Sequence, residues 1–186
     1  RQRYDRDLAA QLLLPDKAQS LAIDQIESVF QDIVRTSAVK PQGLLRKIFG
    51  VKNEIVMPVR GLYLWGSVGR GKTYIVDAFF DCLTTEQKLR IHFHSFMRKV
   101  HGDLKQLSYE SDPLALIAKR WASQFRVLCL DEFHVGDITD AMILGNILRA
   151  LFDNGVSLIT TSNEAPGNLY RDGLQRERFL PVIALL

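Results

Sequence analysis

Two cysteines in 186 residues cannot build the disulfide framework of a small secreted domain. Cys82 falls in a predicted helix and Cys129 in a predicted buried strand, where a thiol serves as a small core hydrophobe, and a reducing compartment suits that usage. No apolar run approaches the roughly 20 residues needed to cross a bilayer, and no signal peptide is visible. Neither sign of charge dominates: 24 Lys and Arg against 21 Asp and Glu leave a net charge of +3, too little to mark a nucleic-acid binder by itself. Repeats and low-complexity tracts are missing as well. What is present is ordinary for one globular domain with an appendage, 47% hydrophobic and 24% charged residues. The chain opens at Arg1 rather than methionine, which leaves room for a lost leader. It stops inside the apolar pattern Phe179-Leu-Pro-Val-Ile-Ala-Leu-Leu186, so a fragment of a longer chain is expected.

The most informative stretch is Gly61-Leu-Tyr-Leu-Trp-Gly66-Ser67-Val68-Gly69-Arg70-Gly71-Lys72-Thr73. A short apolar strand runs into G-x-x-x-x-G-K-[ST] and then into a helical pattern. Glycines let the backbone bend around an anion so that successive N–H groups converge on phosphate oxygens, and the helix adds its N-terminal partial charge. Gly66, Ser67, Val68, Gly69, Arg70 and Gly71 are the expected cradle. Lys72 is expected to reach the β- and γ-phosphates and Thr73 to hold Mg²⁺. An ordinary tight turn would not need all four motif positions between a strand and a helix, so a nucleoside triphosphate is the expected ligand, ATP with Mg²⁺.

Two further strand ends refine the chemistry. Val127-Leu-Cys-Leu130 is a continuous apolar run, as in a strand buried on both faces of a parallel sheet, and it ends in Asp131-Glu132. Asp131 at that edge can organise the Mg²⁺ shell, and Glu132 can polarise an attacking water, which favours hydrolysis over phosphoryl transfer to another acceptor. A second buried strand, Val156–Thr160, leads into Thr161-Ser162-Asn163. Asn163 is either a turn cap before Glu164-Ala-Pro166 or a polar sensor between the carboxylates and the γ-phosphate. The three ends together point to an additional-strand P-loop ATPase with a sensor asparagine. No Asn-Lys-x-Asp motif occurs, against a GTPase of the Ras type.

Around these motifs the pattern reads as a helix from Asp16 to about Ala38, with Leu21, Ala22, Ile26, Val29, Phe30, Ile33 and Val34 on its apolar face. A basic loop from Ser37 to Pro58 follows, in which Leu44–Phe49 has the pattern of a short helical turn. The core then runs strand (62–65), helix (72–82), strand (89–94), helices (96–106 and 114–125), strand (127–130), helix (138–153), strand (156–160) and a final helix after Gly173. This alternation implies a parallel sheet with helices on both faces. Residues 1–60 form the N-terminal helical extension and basic loop, and 61–186 the nucleotide-binding core.

Beyond the generic loop, the words Ile91-His-Phe-His-Ser-Phe-Met97, Asp131-Glu-Phe-His-Val-Gly-Asp-Ile-Thr-Asp-Ala-Met142 and Gly173-Leu-Gln-Arg-Glu-Arg-Phe-Leu-Pro181 resemble the ZapE-type AAA+ ATPases, with relatives in mitochondria. The resemblance covers most of the chain from about Asp16. It implies an AAA+ fold with the extra strand between the P-loop strand and the acidic strand, and a fifth strand and lid that lie past Leu186. It also implies a cytoplasmic bacterial division ATPase that acts on FtsZ at the division ring and reduces filament bundling. A eukaryotic relative would be mitochondrial, in quality control or membrane biogenesis.

AAA+ sites lie between subunits of a ring, and Arg176 or Arg178 then becomes the candidate finger that reaches a neighbour's γ-phosphate. The plain alternative is a solvated helix start with an internal Arg–Glu pair. Asp16 and Gln19 match a short pattern of that family that reaches adenine, although a plain helix start is the reading these residues favour. Asp137 and Asp140 are expected to cap the helix after them. His92, His94, His101 and His134 lack cysteine or carboxylate partners at zinc spacing; His94 is instead the candidate to hold Glu132 away from water. A helicase loader is the main functional alternative, supported by the basic segment Lys40–Lys52. That segment lacks the interleaved aromatics of a single-strand platform and reads as a solvated or peripheral membrane-facing loop.

Overall fold

The structure, a computed structural model, describes residues 1–38 and 57–186; the predicted basic segment Lys40–Lys52 and its helical turn Leu44–Phe49 lie outside the described residues. Four parallel strands, β1 (Leu62–Trp65), β2 (Lys88–His92), β3 (Val127–Asp131) and β4 (Ser157–Ser162), form one sheet in the order β1-β4-β3-β2. β4 is therefore the strand inserted between the P-loop strand and the acidic strand, as expected. The two central strands are buried at every residue; β3 accordingly runs apolar from Val127 to Leu130 without alternation, whereas β4 buries the hydroxyls of Ser157, Thr160, Thr161 and Ser162 beside Leu158 and Ile159.

Helices cover both faces. On one lie α1 (Gln2–Ala9), α2 (Lys17–Ala38) and α3 (Lys72–Cys82), packed on Leu64, Val127, Cys129 and Ile159. On the other lie α4 (Phe93–Gln106), α5 (Pro113–Ala122), α6 (Ile138–Asp153) and α7 (Leu180–Leu185), packed on Leu128, Leu130 and Leu158. Trp121, fully buried, stacks edge-on with Phe96 at 5.5 Å and donates its indole N–H to buried Asp103 at 2.9 Å. The polar end of a large core ring is thereby satisfied.

Several boundaries differ from the sequence reading, each for a tertiary reason. The second strand ends at His92, because Phe93 turns into the core against Phe133, 4.8 Å between ring centres, one residue after the pairing with Asp131 runs out. His92 and His94 therefore do not alternate along a strand; His94 lies in the first turn of α4. The apolar face of α2 is rotated: Ile23, Ile26, Val29 and Ile33 are buried, whereas Leu21 and Val34 are exposed. Cys82 is exposed at the end of α3, so only Cys129 is a core thiol; burial pushes that thiol up to about 12. The last helix starts late, with a 3-10 turn at Arg176–Arg178 before α7, because Gln175 adopts a left-handed φ of 58° and Pro181 favours a helix start just behind it.

Helix α1 is mostly polar, and the sequence reading missed its short apolar pattern, Tyr4 and Leu8 on one face. Tyr4 is its buried anchor. Leu8 packs on the same cluster, and ion pairs of Arg1 with Asp24 and of Arg3 with Asp81, each at 2.9 Å, add to the docking.

Candidate functional site

All parallel strands point the same way, so register alone gathers their ends. Trp65 pairs with Ser162, and His92 with Asp131. The phosphate loop, the acidic pair and Asn163 thus meet at one edge, where loops leave the sheet and ligands of such folds bind.

The loop is built by backbone. Gly69 and Gly71 have φ of 83° and 79°, a region a side chain resists. Gly71 is the N-cap of α3, so that helix opens directly on the loop. Lys72, the first residue of α3, donates its ammonium protons to the Gly66 carbonyl at 2.7 Å, the Ser67 carbonyl at 3.0 Å and Asn163 Oδ1 at 3.1 Å. All three donors are matched, while partial burial lowers the ammonium's pKa. The contact with Asn163 ties the loop to the end of β4. Ser67, Val68, Arg70 and Thr73 are exposed. Arg70 pairs with Asp16 at 3.1 Å, and Gln19 donates to the Arg70 carbonyl at 3.2 Å. Asp16 also caps α2, accepting from Ala18 and Gln19 N–H. The start of α2 is accordingly clamped onto the loop.

The acidic end is built by side chains. Asp131 closes β3 and is buried; Glu132 follows with a left-handed φ of 57° and a side chain 75% exposed. This kink is held by β4, since Glu132 N–H bonds Thr161 Oγ1 at 3.1 Å and Phe133 N–H bonds the Thr161 carbonyl at 2.7 Å. A non-glycine residue forced into that region marks a place where orientation matters more than local energy. Buried Thr160 and Ser162 stitch the same turn, bonding the carbonyls of Leu130 and Phe133. An open cleft of about 420 Å³ is lined by Thr73, Arg90, His92, Asp131, Glu132 and Thr161.

Asp131 accepts from Arg90 Nε at 2.7 Å through Oδ2, while its Oδ1 is buried without any hydrogen-bond partner. A buried carboxylate oxygen left unpaired is costly, and in a cleft shared with the Thr73 hydroxyl it fits the oxygen-rich shell of a hard divalent cation. The other arm of Arg90 contacts Asp77 on α3. Burial disfavours the Arg90 charge, but the two carboxylates outweigh that and hold its proton more tightly than usual.

The histidines do not converge. His101 meets Asp140 at 2.7 Å, His134 meets Glu164 at 3.1 Å, and His92 Nδ1 lies 3.8 Å from Glu132. It is thus His92, not His94, that faces the glutamate; His94 stacks on the His92 ring at 6.0 Å. Asp137 caps α6 as expected, accepting from Asp140 N–H at 2.9 Å. Neither Arg176 nor Arg178 bonds a residue of this chain's own loop among the described residues. Arg176 is held by the Gly167 carbonyl at 2.6 Å, and Arg178 is exposed with no side-chain partner among the described residues. The sequence reading missed Arg90 and Asp77. The one available signal was a guanidinium placed mid-strand in Lys88–His92.

A nucleotide-binding loop at the end of the first strand, an acidic pair on the third and an inserted strand carrying a polar tip define a P-loop protein of the AAA+ type. Solved structures agree on the fold. Domain III of the replication initiation protein DnaA from Thermotoga maritima superposes with a TM-score of 0.58 at 16% identity, covering 91% of this chain and 62% of that one. DnaI gives 0.57 at 19% identity, over 95% and 82%. The family model described as AFG1-like ATPase matches residues 1–186, and the chain belongs to that family. Cell division protein ZapE of Escherichia coli K12 is 47% identical over 175 residues, which is 91% of this chain and 47% of the relative. Lactation elevated protein 1 homolog B of Danio rerio is 39% identical over 140 residues, 69% of this chain and 28% of the relative. The chain thus spans about half or less of the length of these relatives. No helix among the described residues is long and apolar enough to cross a membrane.

Proposed function

We propose that this chain is the nucleotide-hydrolysing part of an AAA+ ATPase that remodels a protein partner, with FtsZ polymers at the bacterial division site as the foremost candidate. The observation that carries hydrolysis is the pairing of a metal-ready oxygen, Asp131 Oδ1, with an outward glutamate in one cleft. In this reading the loop N–H groups and Lys72 hold the phosphates, exchanging neutral carbonyl partners for charged oxygens, which bond more strongly. Thr73 and Asp131 hold Mg²⁺, which neutralises charge on the phosphoryl group. Glu132 takes the proton from the attacking water, and Asn163, already in contact with Lys72, fixes that water's position. Arg178 suits the finger better than Arg176, because a residue that serves a neighbouring subunit must be free to leave its own surface; Arg176 is already engaged. Assembly into a ring follows from that role.

Support for the partner comes from ZapE's description as a cell division protein; localisation in the bacterial cytoplasm, at the division site, rests on the same relative. The likeness to DnaA and DnaI is one of fold. ATP turnover measured in the full chain with FtsZ polymer, with single-stranded DNA and alone tests the reading. Turnover is expected to respond to the polymer. A response to DNA alone, with steep salt dependence, would replace FtsZ by a nucleic-acid partner, and absence of turnover under all three conditions would overturn the enzyme assignment.

A further inference from the structure

Arg90 has no part in the roles assigned above, yet it touches the central carboxylate of the site. Its Nε donates to Asp131 Oδ2 at 2.7 Å, its Nη1 reaches Asp77, and its side chain is only 21% exposed. Three elements meet in this one side chain: β2, which carries it, β3, which ends in Asp131, and α3, which begins at the phosphate loop. Asp77 lies one helical turn beyond Thr73 and so on the same face. A guanidinium is a planar fork, and with both arms engaged it cannot rotate. A carboxylate held by one oxygen has its plane set by that contact, and the oxygen left over here is the buried, unpartnered Oδ1. We propose that Arg90, anchored by Asp77, is a positioning residue that holds Asp131 by Oδ2 and presents Oδ1 to a divalent cation bound beside Thr73.

The simpler account is a salt bridge that stitches two strands. β2 and β3 are already paired along five residues, from Lys88↔Val127 to His92↔Asp131, so a stitch adds little. Nor would a stitch need a second carboxylate from α3. The clamp explains that second contact: it references the metal carboxylate to the helix whose first turn carries Lys72 and Thr73.

The inference rests on Asp131 being a metal-shell residue, and the experiment separates the two. Affinity for a fluorescent, non-hydrolysable ATP analogue is measured in the full chain with and without Mg²⁺, and the ratio of the two affinities is the readout. Arg90→Gln should keep the Mg²⁺-free affinity and lower the ratio about 10-fold, as when an outer partner of a metal ligand is lost. Arg90→Lys should recover part of it, because an ammonium is a point charge that reaches one carboxylate without the bridging fork. Asp77→Asn should give a smaller loss of the same sign. An unchanged ratio in Arg90→Gln overturns the clamp, including the case in which affinities with and without Mg²⁺ fall together, which is what a purely structural bridge predicts. If Arg90→Gln does not fold, Asp77→Asn decides, and an unchanged ratio there overturns the clamp. Asp131→Asn is the control: if its ratio equals that of the unsubstituted chain, the metal role of Asp131 fails and the clamp with it.

Discussion

The two halves of the site are built by different means. The phosphate loop is a local object, made by consecutive residues, two positive-φ glycines and a helix that opens on it. Its distant ties are few: Lys72 to Asn163, and Arg70 to Asp16 and Gln19 at the start of α2. The acidic cleft has no local existence. Thr73, Asp77, Arg90, His92, Asp131, Glu132 and Thr161 come from α3 and three strands, and they meet only because parallel strands end together. Backbone grips phosphate with little dependence on the rest of the fold, whereas side chains aimed from several elements need every element in place. Binding should therefore depend chiefly on the first half and turnover on the second.

The largest expected effect breaks the second half alone. Glu132→Gln should lower kcat by about 10²- to 10⁴-fold, the range for loss of a general base, with nucleotide affinity retained because the side chain is exposed and no part of the loop. Steady-state turnover together with calorimetry checks this. Wild-type turnover would remove Glu132 from the chemistry. Next in size is the first half: Lys72→Ala should weaken ATP binding on the order of 100-fold, since the loop loses the cation held at its centre by the Gly66 and Ser67 carbonyls. Retained affinity would mean that backbone N–H groups suffice.

The smallest effect sharpens the comparison, because it concerns a support of the loop rather than the loop. Tyr74 follows Thr73 and donates its hydroxyl to Asp7 on α1 at 2.5 Å. That bond lowers the Asp7 pKa, while burial and the same bond raise Tyr74 to about 12. A depressed carboxylate contributes stability above the ordinary carboxylate range and loses it as pH falls through the lowered value. A raised phenol contributes fully below its ordinary pKa of about 10 and loses the contribution as pH climbs toward about 12. Docking of α1 should be strongest between those limits. Tyr74→Phe should lower the melting temperature by about 2 °C at neutral pH and flatten both limbs of its pH profile. An unaltered profile by calorimetric melting from pH 3 to about 11 would show that α1 is held by its apolar contacts and ion pairs instead.

The sequence by itself determined the loop, the buried third strand and that strand's acidic end. In each case adjacent residues carry the whole physical requirement: glycines for backbone reversal, an unbroken apolar run for burial on two faces, a lysine and threonine at one helix start. Tertiary structure alone decided the rest. Phe93 leaves the sheet early because Phe133 awaits it, so His92 rather than His94 meets Glu132. α2 turns Ile23 inward because of what it packs on, and mostly polar α1 is docked because Tyr4 and Leu8 meet that same cluster while Arg1 and Arg3 find carboxylates on two other helices. Arg90 acquires its meaning from Asp77 and Asp131, 13 and 41 residues away. A strand shows in its own residues which faces are buried; which side chain stands beside its last carboxylate depends on where the neighbouring chains end.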